Sequence, residues 1–348
     1  KRYLKIFIPF CLGIALVWYS LSQISFETLI GYFKDANYFW VLLGVSMGIV
    51  SHLTRAYRWL LLAEPLGYKP HFLNSGMAVY AAYLINLTIP RAGEVARATI
   101  ITNYEQIPFQ KGFGTIVAER VIDTFMLLLV IGITFILEFD FIYSFFSENF
   151  QLDTLLMSSG LFVLILILTF LWISKSSSSF AQKVKTFIKG LLEGLLSVFK
   201  MKRKWTFIAC TLIIWVLYVF MFYVTTFALP ELESISLAAV LVGFILASFS
   251  IAATNGGIGS FPEAIVLAFM FFNLPEDPSR AFGWILWSVQ TLVIIILGGL
   301  SLIMLPIYNK NKKAFSLFLT KKPFFIFFKR FRTKSLESNN DLLYCLLL

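Results

Sequence analysis

The stretch Pro90-Arg91-Ala92-Gly93-Glu94-Val95-Ala96-Arg97 separates two apolar runs, and its reading decides the fold. Proline cannot continue a helix and glycine frees the backbone, so one helix ends here and a second begins. The stretch also carries Arg91, Glu94 and Arg97 into apolar surroundings. Glu94 and Arg97 are three residues apart, a spacing that lets them pair on one face of the second helix.

The surroundings are those of a membrane protein. Of 348 residues, 59% are hydrophobic and 14% charged, with a mean hydropathy of +0.82, whereas soluble domains run near 45–50% apolar and about 25% charged. With 38 Phe and 8 Trp the chain is also far from a disordered composition. The net charge of +10 matters less than its placement, and nucleic acid is not an expected partner. Cys11, Cys210 and Cys345 are too few and too scattered for a disulfide framework or a short-spaced zinc site. No metal or cofactor is expected.

A helix needs about 20 mostly apolar residues to cross a bilayer core. Six runs qualify: Leu4 to Leu21, Tyr38 to Ala63, Phe113 to Leu137, Leu155 to Ile173, Trp205 to Leu229, and Ala281 to Pro306. The first of these reads as a span rather than a signal peptide, because no small-residue cleavage site follows it. Two other regions, Asn74 to Thr102 and Leu237 to Leu274, each hold two shorter apolar stretches divided by Gly, Pro and polar residues.

Lys and Arg gather on the cytoplasmic side of membrane proteins. Lys1, Arg2 and Lys5 therefore place the N-terminus inside. Residues 138–153 carry four acids and no Lys or Arg, while 175–204 carry eight basic residues and one acid. Alternating the faces accordingly makes Asn74 to Thr102 enter and leave on the inside, and Leu237 to Leu274 on the outside. The expected fold is all-α and polytopic, with about six full spans and two oppositely oriented re-entrant helical hairpins. Residues 1–150 and 151–309 then form inverted-repeat-like halves of one transmembrane domain, the plan of many transporters. Eight plain spans are the alternative. An amphipathic cytoplasmic segment is expected over 181–200, and a basic, Phe-rich cytoplasmic tail over 310–348.

Six ionisable residues fall where they are expensive: Arg91, Glu94, Arg97, Glu119, Arg120 and Asp123. At about 2.5–3.5 kcal/mol each, facing lipid together they would cost on the order of 15–20 kcal/mol, more than the roughly 5–15 kcal/mol stability of a typical domain. They must pair with one another or line a hydrated cavity. Two roles are open, a functional site or an ion-pair network that locks the hairpin. Arg55 and Arg58 are expected to reach headgroups at the inner surface, although Arg58, beside Trp59, can face the same cavity. The second break runs Thr254-Asn255-Gly256-Gly257-Ile258-Gly259-Ser260-Phe261-Pro262-Glu263. Its glycines let backbone approach a ligand, and amides at the start of the next helix favour an anion. His52 and His71 have no partner spacing and read as structural.

Arg58 with Trp59, the Pro90–Arg97 stretch, Glu119 with Arg120 and Asp123, and the Gly256–Gly259 loop followed by Glu263 together resemble the transmembrane region of the lysylphosphatidylglycerol synthase/flippase family. The resemblance implies a polytopic fold with re-entrant segments and a role in moving or presenting lipids with modified headgroups. This chain has Thr254 and Asn255 where the family commonly has proline. It holds no large soluble region of the kind that carries aminoacyl transfer in bifunctional relatives, so headgroup synthesis is not implied.

The leading expectation is a lipid flippase or transporter of the cell membrane, with both termini cytoplasmic and membrane lipids as its partners. An anionic or phosphate-bearing headgroup would be held by Arg91, Arg97 and Arg120, with Arg58 nearby, and by the backbone of Asn255, Gly256, Gly257 and Gly259. Glu94, Glu119, Asp123 and Glu263 would balance the arginines. Phosphate suits the planar donor fork of arginine. An enzyme that modifies a lipid headgroup is one alternative, although no Ser/His/Asp set, metal cluster or nucleotide loop is visible. A membrane scaffold for a separate lipid-synthesis enzyme is another.

Overall fold

The structure, a computed structural model, describes residues 4–89, 92–139, 201–254 and 256–310, with isolated positions and short runs between 143 and 185. Every regular element among the described residues is helical. In chain order they are α1 (Leu4–Ser22), α2 (Phe26–Asp35), α3 (Tyr38–Ala63), α4 (Phe72–Thr88), α5 (Ala92–Glu105), α6 (Phe109–Leu137), α7 (Lys204–Thr226), α8 (Leu237–Ala253), α9 (Ser260–Met270) and α10 (Glu276–Tyr308). The span expected at Leu155 to Ile173, the amphipathic segment at 181–200 and the tail from 310 lie almost wholly outside the described residues, as do Arg91 and Asn255.

Helix boundaries follow local chemistry. Ser25, Asn37 and Ser236 each accept a backbone N–H with the side chain at the start of α2, α3 and α8. Pro108 and Pro275 immediately precede α6 and α10, where a missing amide hydrogen does no harm. Four helical segments are long and apolar enough to cross a membrane, at Tyr38–Leu66, Phe109–Leu137, Lys204–Thr226 and Glu276–Tyr308. Their outward faces carry Leu128, Leu129, Ile136, Val216 and Ile303, all exposed on the protein itself. The link between the first two long helices, polar in sequence, folds into α2, a short amphipathic helix.

The two interrupted regions are both antiparallel helix pairs. In the first, Asn74 bonds Glu105, Ala78 shares a core with Ile101, and Asn86 accepts the Gly93 amide. Partners therefore converge in step from the open ends toward Ile89 and Ala92, whose backbones are hydrogen-bonded. In the second, Gly243 abuts Phe269 and Ser250 bonds Ser260. The second pair is packed into the larger core, where Phe222 of α7 meets Phe244, Phe269 and Phe282 edge-on at centroid distances of 6.3, 6.3 and 5.2 Å, the arrangement preferred by aromatic quadrupoles. A smaller core of Trp59, Ala78, Ala98, Ile101 and Ile116 holds the first pair against α3 and α6.

Candidate functional site

Three helices bring the ionisable residues together. Arg55 and Arg58 project from one face of α3, Glu119 and Asp123 from one face of α6, and Arg97 enters from α5. Arg58 Nη2 donates to Glu119 Oε1 at 3.1 Å and to Asp123 Oδ1 at 2.8 Å. Arg97 Nη1 donates to Glu119 Oε2 at 2.7 Å, and Arg55 Nη1 to Asp123 Oδ2 at 2.5 Å. α7 completes the shell, with Thr211 accepting from Arg58 at 3.2 Å and Tyr218 from Arg55 at 3.2 Å. Arg97 also lies 5.7 Å from the Trp59 ring centroid and Arg58 5.6 Å from that of Phe207, within the range of cation–π attraction.

Burial divides this cluster into an inner and an outer part. The side chains of Arg58 and Glu119 are both 0% exposed, whereas those of Arg120 and Glu94 are 30% and 29% exposed. Arg120 lies 3.8 Å from Glu94 and 3.7 Å from Asp123. These are ionic contacts too long for strong hydrogen bonds. Four guanidinium groups (Arg55, Arg58, Arg97, Arg120) thus face three carboxylates (Glu94, Glu119, Asp123), an excess of one positive charge. Where inner and outer parts meet there is a cavity of about 10 Å³ lined by Tyr83, Asn86, Glu94, Arg97 and Arg120, with Val79, Ala82 and Ile116 as its apolar wall.

The tip of the first pair is shaped for this. Asn86 accepts the Gly93 amide at 2.7 Å, satisfying one of the amides exposed at the start of α5. A side chain at 93 would place its Cβ 2.2 Å from the Ala82 carbonyl oxygen, so only glycine lets α5 approach α4 this closely.

Several expectations need correction. Arg55 and Arg58 do not extend to the surface; they are buried at the centre of the network, because Glu119 and Asp123 offer nearby partners inside the fold. Glu94 and Arg97 do not pair with each other. Arg97 turns inward to Glu119 and Glu94 turns to Arg120. Glu263 is not a counter-charge for these arginines. It accepts from Arg280 Nε at 2.9 Å and from Ser20 Oγ at 2.6 Å, and Trp284 donates to Ser20 at 3.1 Å. This second ionic site joins α1, α9 and α10. Arg280 is buried there, although in sequence it stands beside Glu276 and Asp277 and resembles a loop charge.

Gly256, Gly257 and Gly259 adopt φ values of 65°, 79° and 70°, a region open to glycine. Their loop does not line the small cavity, whose walls come from α4, α5 and α6. It does reach the first tip. A Cβ on Gly256 would stand 2.7 Å from Leu87 Cδ2, and Trp287 donates to the Gly256 carbonyl at 2.8 Å. The two helix breaks therefore touch through apolar and backbone atoms, while their carboxylates belong to different clusters.

The arrangement of charges and breaks runs through a chain whose residues 6–336 match the family described as the lysylphosphatidylglycerol synthase transmembrane region. The chain belongs to that family. It is similar to a UPF0104 membrane protein of Methanocaldococcus jannaschii, with 24% identity over 321 residues covering 84% of this chain and 93% of the relative. No solved structure matches it. Family and helices together make this a multi-pass membrane protein.

Proposed function

We propose that the protein translocates a lipid with an anionic or phosphate-bearing headgroup. The observation that carries this reading is the arginine excess around the cavity at the tip of the first helix pair. Ionisable groups at membrane depth are retained where they meet a substrate or a wet path. A surplus of positive charge with partly open donors favours an anion.

In this reading the two halves of the chain are inverted, and α4–α5 and α8–α9 are re-entrant hairpins dipping from opposite faces. The helices have 17, 14, 17 and 11 residues, each below the about 20 needed to cross. Contact between Leu87 and Gly256 supports two tips meeting near mid-membrane, where transporters of this plan bind substrate. The inner residues Arg55, Arg58, Glu119 and Asp123 are committed to one another and position the site. Arg120 and Arg97 receive the headgroup, and the glycine-rich loop offers the pathway a surface without side chains. The membrane is the cell membrane with both termini cytoplasmic, and a separate lipid-synthesis enzyme supplies the modified headgroup.

The test is headgroup translocation in proteoliposomes carrying a labelled anionic phospholipid. Wild-type protein is expected to accelerate it, and Arg120→Gln to abolish the acceleration while remaining monodisperse. A wild-type rate in the variant would remove Arg120 from the mechanism. No acceleration by the wild type with any anionic headgroup would overturn the proposal.

A further inference from the structure

The polar groups around the small cavity are unevenly satisfied, and the imbalance singles out Glu94. Arg97 is 2% exposed and spends Nη1 on Glu119. Its Nε and Nη2 are buried without a hydrogen-bond partner among the described residues, as is Arg120 Nε. Unmet donors of this kind are strongly unfavourable in a low-dielectric interior.

A carboxylate is close by and leaves them unmet. Glu94 Oε1 is 3.8 Å from Arg120 Nε and its Oε2 is 3.4 Å from Asn86 Nδ2, whereas charge-assisted N–H···O bonds normally close to about 2.7–2.9 Å. Asn86 is held by the Gly93 amide on its Oδ1 at 2.7 Å, so it cannot turn to improve the contact. The other two acids are committed. Glu119 and Asp123 each accept hydrogen bonds from two arginines, and their side chains are only 0% and 12% exposed. Glu94 is the acid with loose contacts and a route outward.

We propose that Glu94 is a displaceable carboxylate standing in for a phosphate oxyanion beside Arg97 and Arg120. The inference rests on the anion-binding reading above and gives that site its exchange step. A phosphate group carries several strong acceptor oxygens and matches the arginine fork, so it satisfies donors that one distant carboxylate does not. The cavity of about 10 Å³ has room for one water. Entry of a phosphate therefore requires Glu94 and the partly exposed Arg120 side chain to move outward, while Arg97 stays fixed by Glu119 and Trp59. Repulsion between Glu94 and the bound phosphate then favours release when the carboxylate returns.

The same oxyanion can arrive on a lipid headgroup or as free phosphate. The full chain in nanodiscs, as wild type and as Glu94→Gln, is titrated with inorganic phosphate and with a short-chain phosphatidylglycerol. Binding is read by calorimetry and by tryptophan fluorescence, since Trp59 stacks on Arg97. Glu94→Gln is expected to lower Kd about tenfold and to slow headgroup translocation, because binding strengthens while release loses its competitor. Tightening for the lipid alone assigns the site to a headgroup. Tightening for both probes assigns it to the oxyanion whatever its carrier, and either result supports the proposal. Equal or weaker binding by Glu94→Gln, with the wild type still binding, overturns the displaceable carboxylate and leaves the anion site standing. If wild type and variant bind neither probe, the anion reading falls as well.

Discussion

Glu119 is the residue whose removal should be felt most. Its carboxylate accepts from Arg97 at 2.7 Å and Arg58 at 3.1 Å, with Arg55 at 3.9 Å. Glu119→Gln keeps the shape and removes the charge, leaving four arginines with only Glu94 and Asp123. Taking one member from a buried ionic network typically costs about 3–5 kcal/mol, because the remaining partners stay buried and uncompensated. That is a large part of the roughly 5–15 kcal/mol that keeps a domain folded. At roughly 2 °C per kcal/mol for a chain of this size, the apparent Tm should fall by about 6–10 °C. The assay is thermal unfolding in detergent at one scan rate, since membrane proteins often unfold irreversibly. A second variant, Glu119→Gln with Arg97→Gln, removes one charge of each sign. It should lose about 0.5–3 kcal/mol less than the sum of the single changes, the range found for directly coupled residues. An apparent Tm within about 1 °C of wild type for Glu119→Gln, or strictly additive losses in the pair, would show that the network does not hold α3, α5 and α6 together.

Gly93→Ala should prevent α5 from docking on α4 and sharply reduce folded yield, whereas Gly132→Ala, whose Cβ meets nothing within 4 Å, should be neutral or gain about 0.5–1 kcal/mol in helix propensity; size-exclusion profiles of the two compare them directly. Asn74→Ala removes buried amide bonds to Glu105 and Asn309, so about 1–3 kcal/mol should be lost. Its signature is faster hydrogen exchange at 72–76 and 103–105, and no change in exchange there would refute the clamp. Glu263→Gln should destabilise the junction of α1, α9 and α10 through Arg280 while leaving phosphate binding at Arg97 and Arg120 unchanged. A lost phosphate response in that variant would mean the two ionic clusters act as one.

Much of this architecture was legible in the residue order. Apolar run length located the long helices, and α3 begins and ends at the residues expected, Tyr38 and Ala63. Proline and glycine located both breaks, since their backbone chemistry acts within a turn or two. The need for pairing among Glu94, Arg97, Glu119, Arg120 and Asp123 followed from the energy of charge in lipid. α2 is not legible there, because ten residues with Glu27, Lys34 and Asp35 have the polarity of a loop and fall short of a membrane-crossing length. Arg280 escaped because it lies among acids at a helix start, where a solvated charge is the ordinary outcome.

The residue order settles that charges fall within apolar helical stretches and that two apolar regions are interrupted, because helix propensity, apolar length and desolvation are properties of residues and their near neighbours. Which charge meets which depends instead on the three-dimensional packing. Arg58 finds Glu119 across 61 residues and Ser20 finds Glu263 across 243. Helical periodicity tells which residues share a face, but which faces meet is set by how the helices pack.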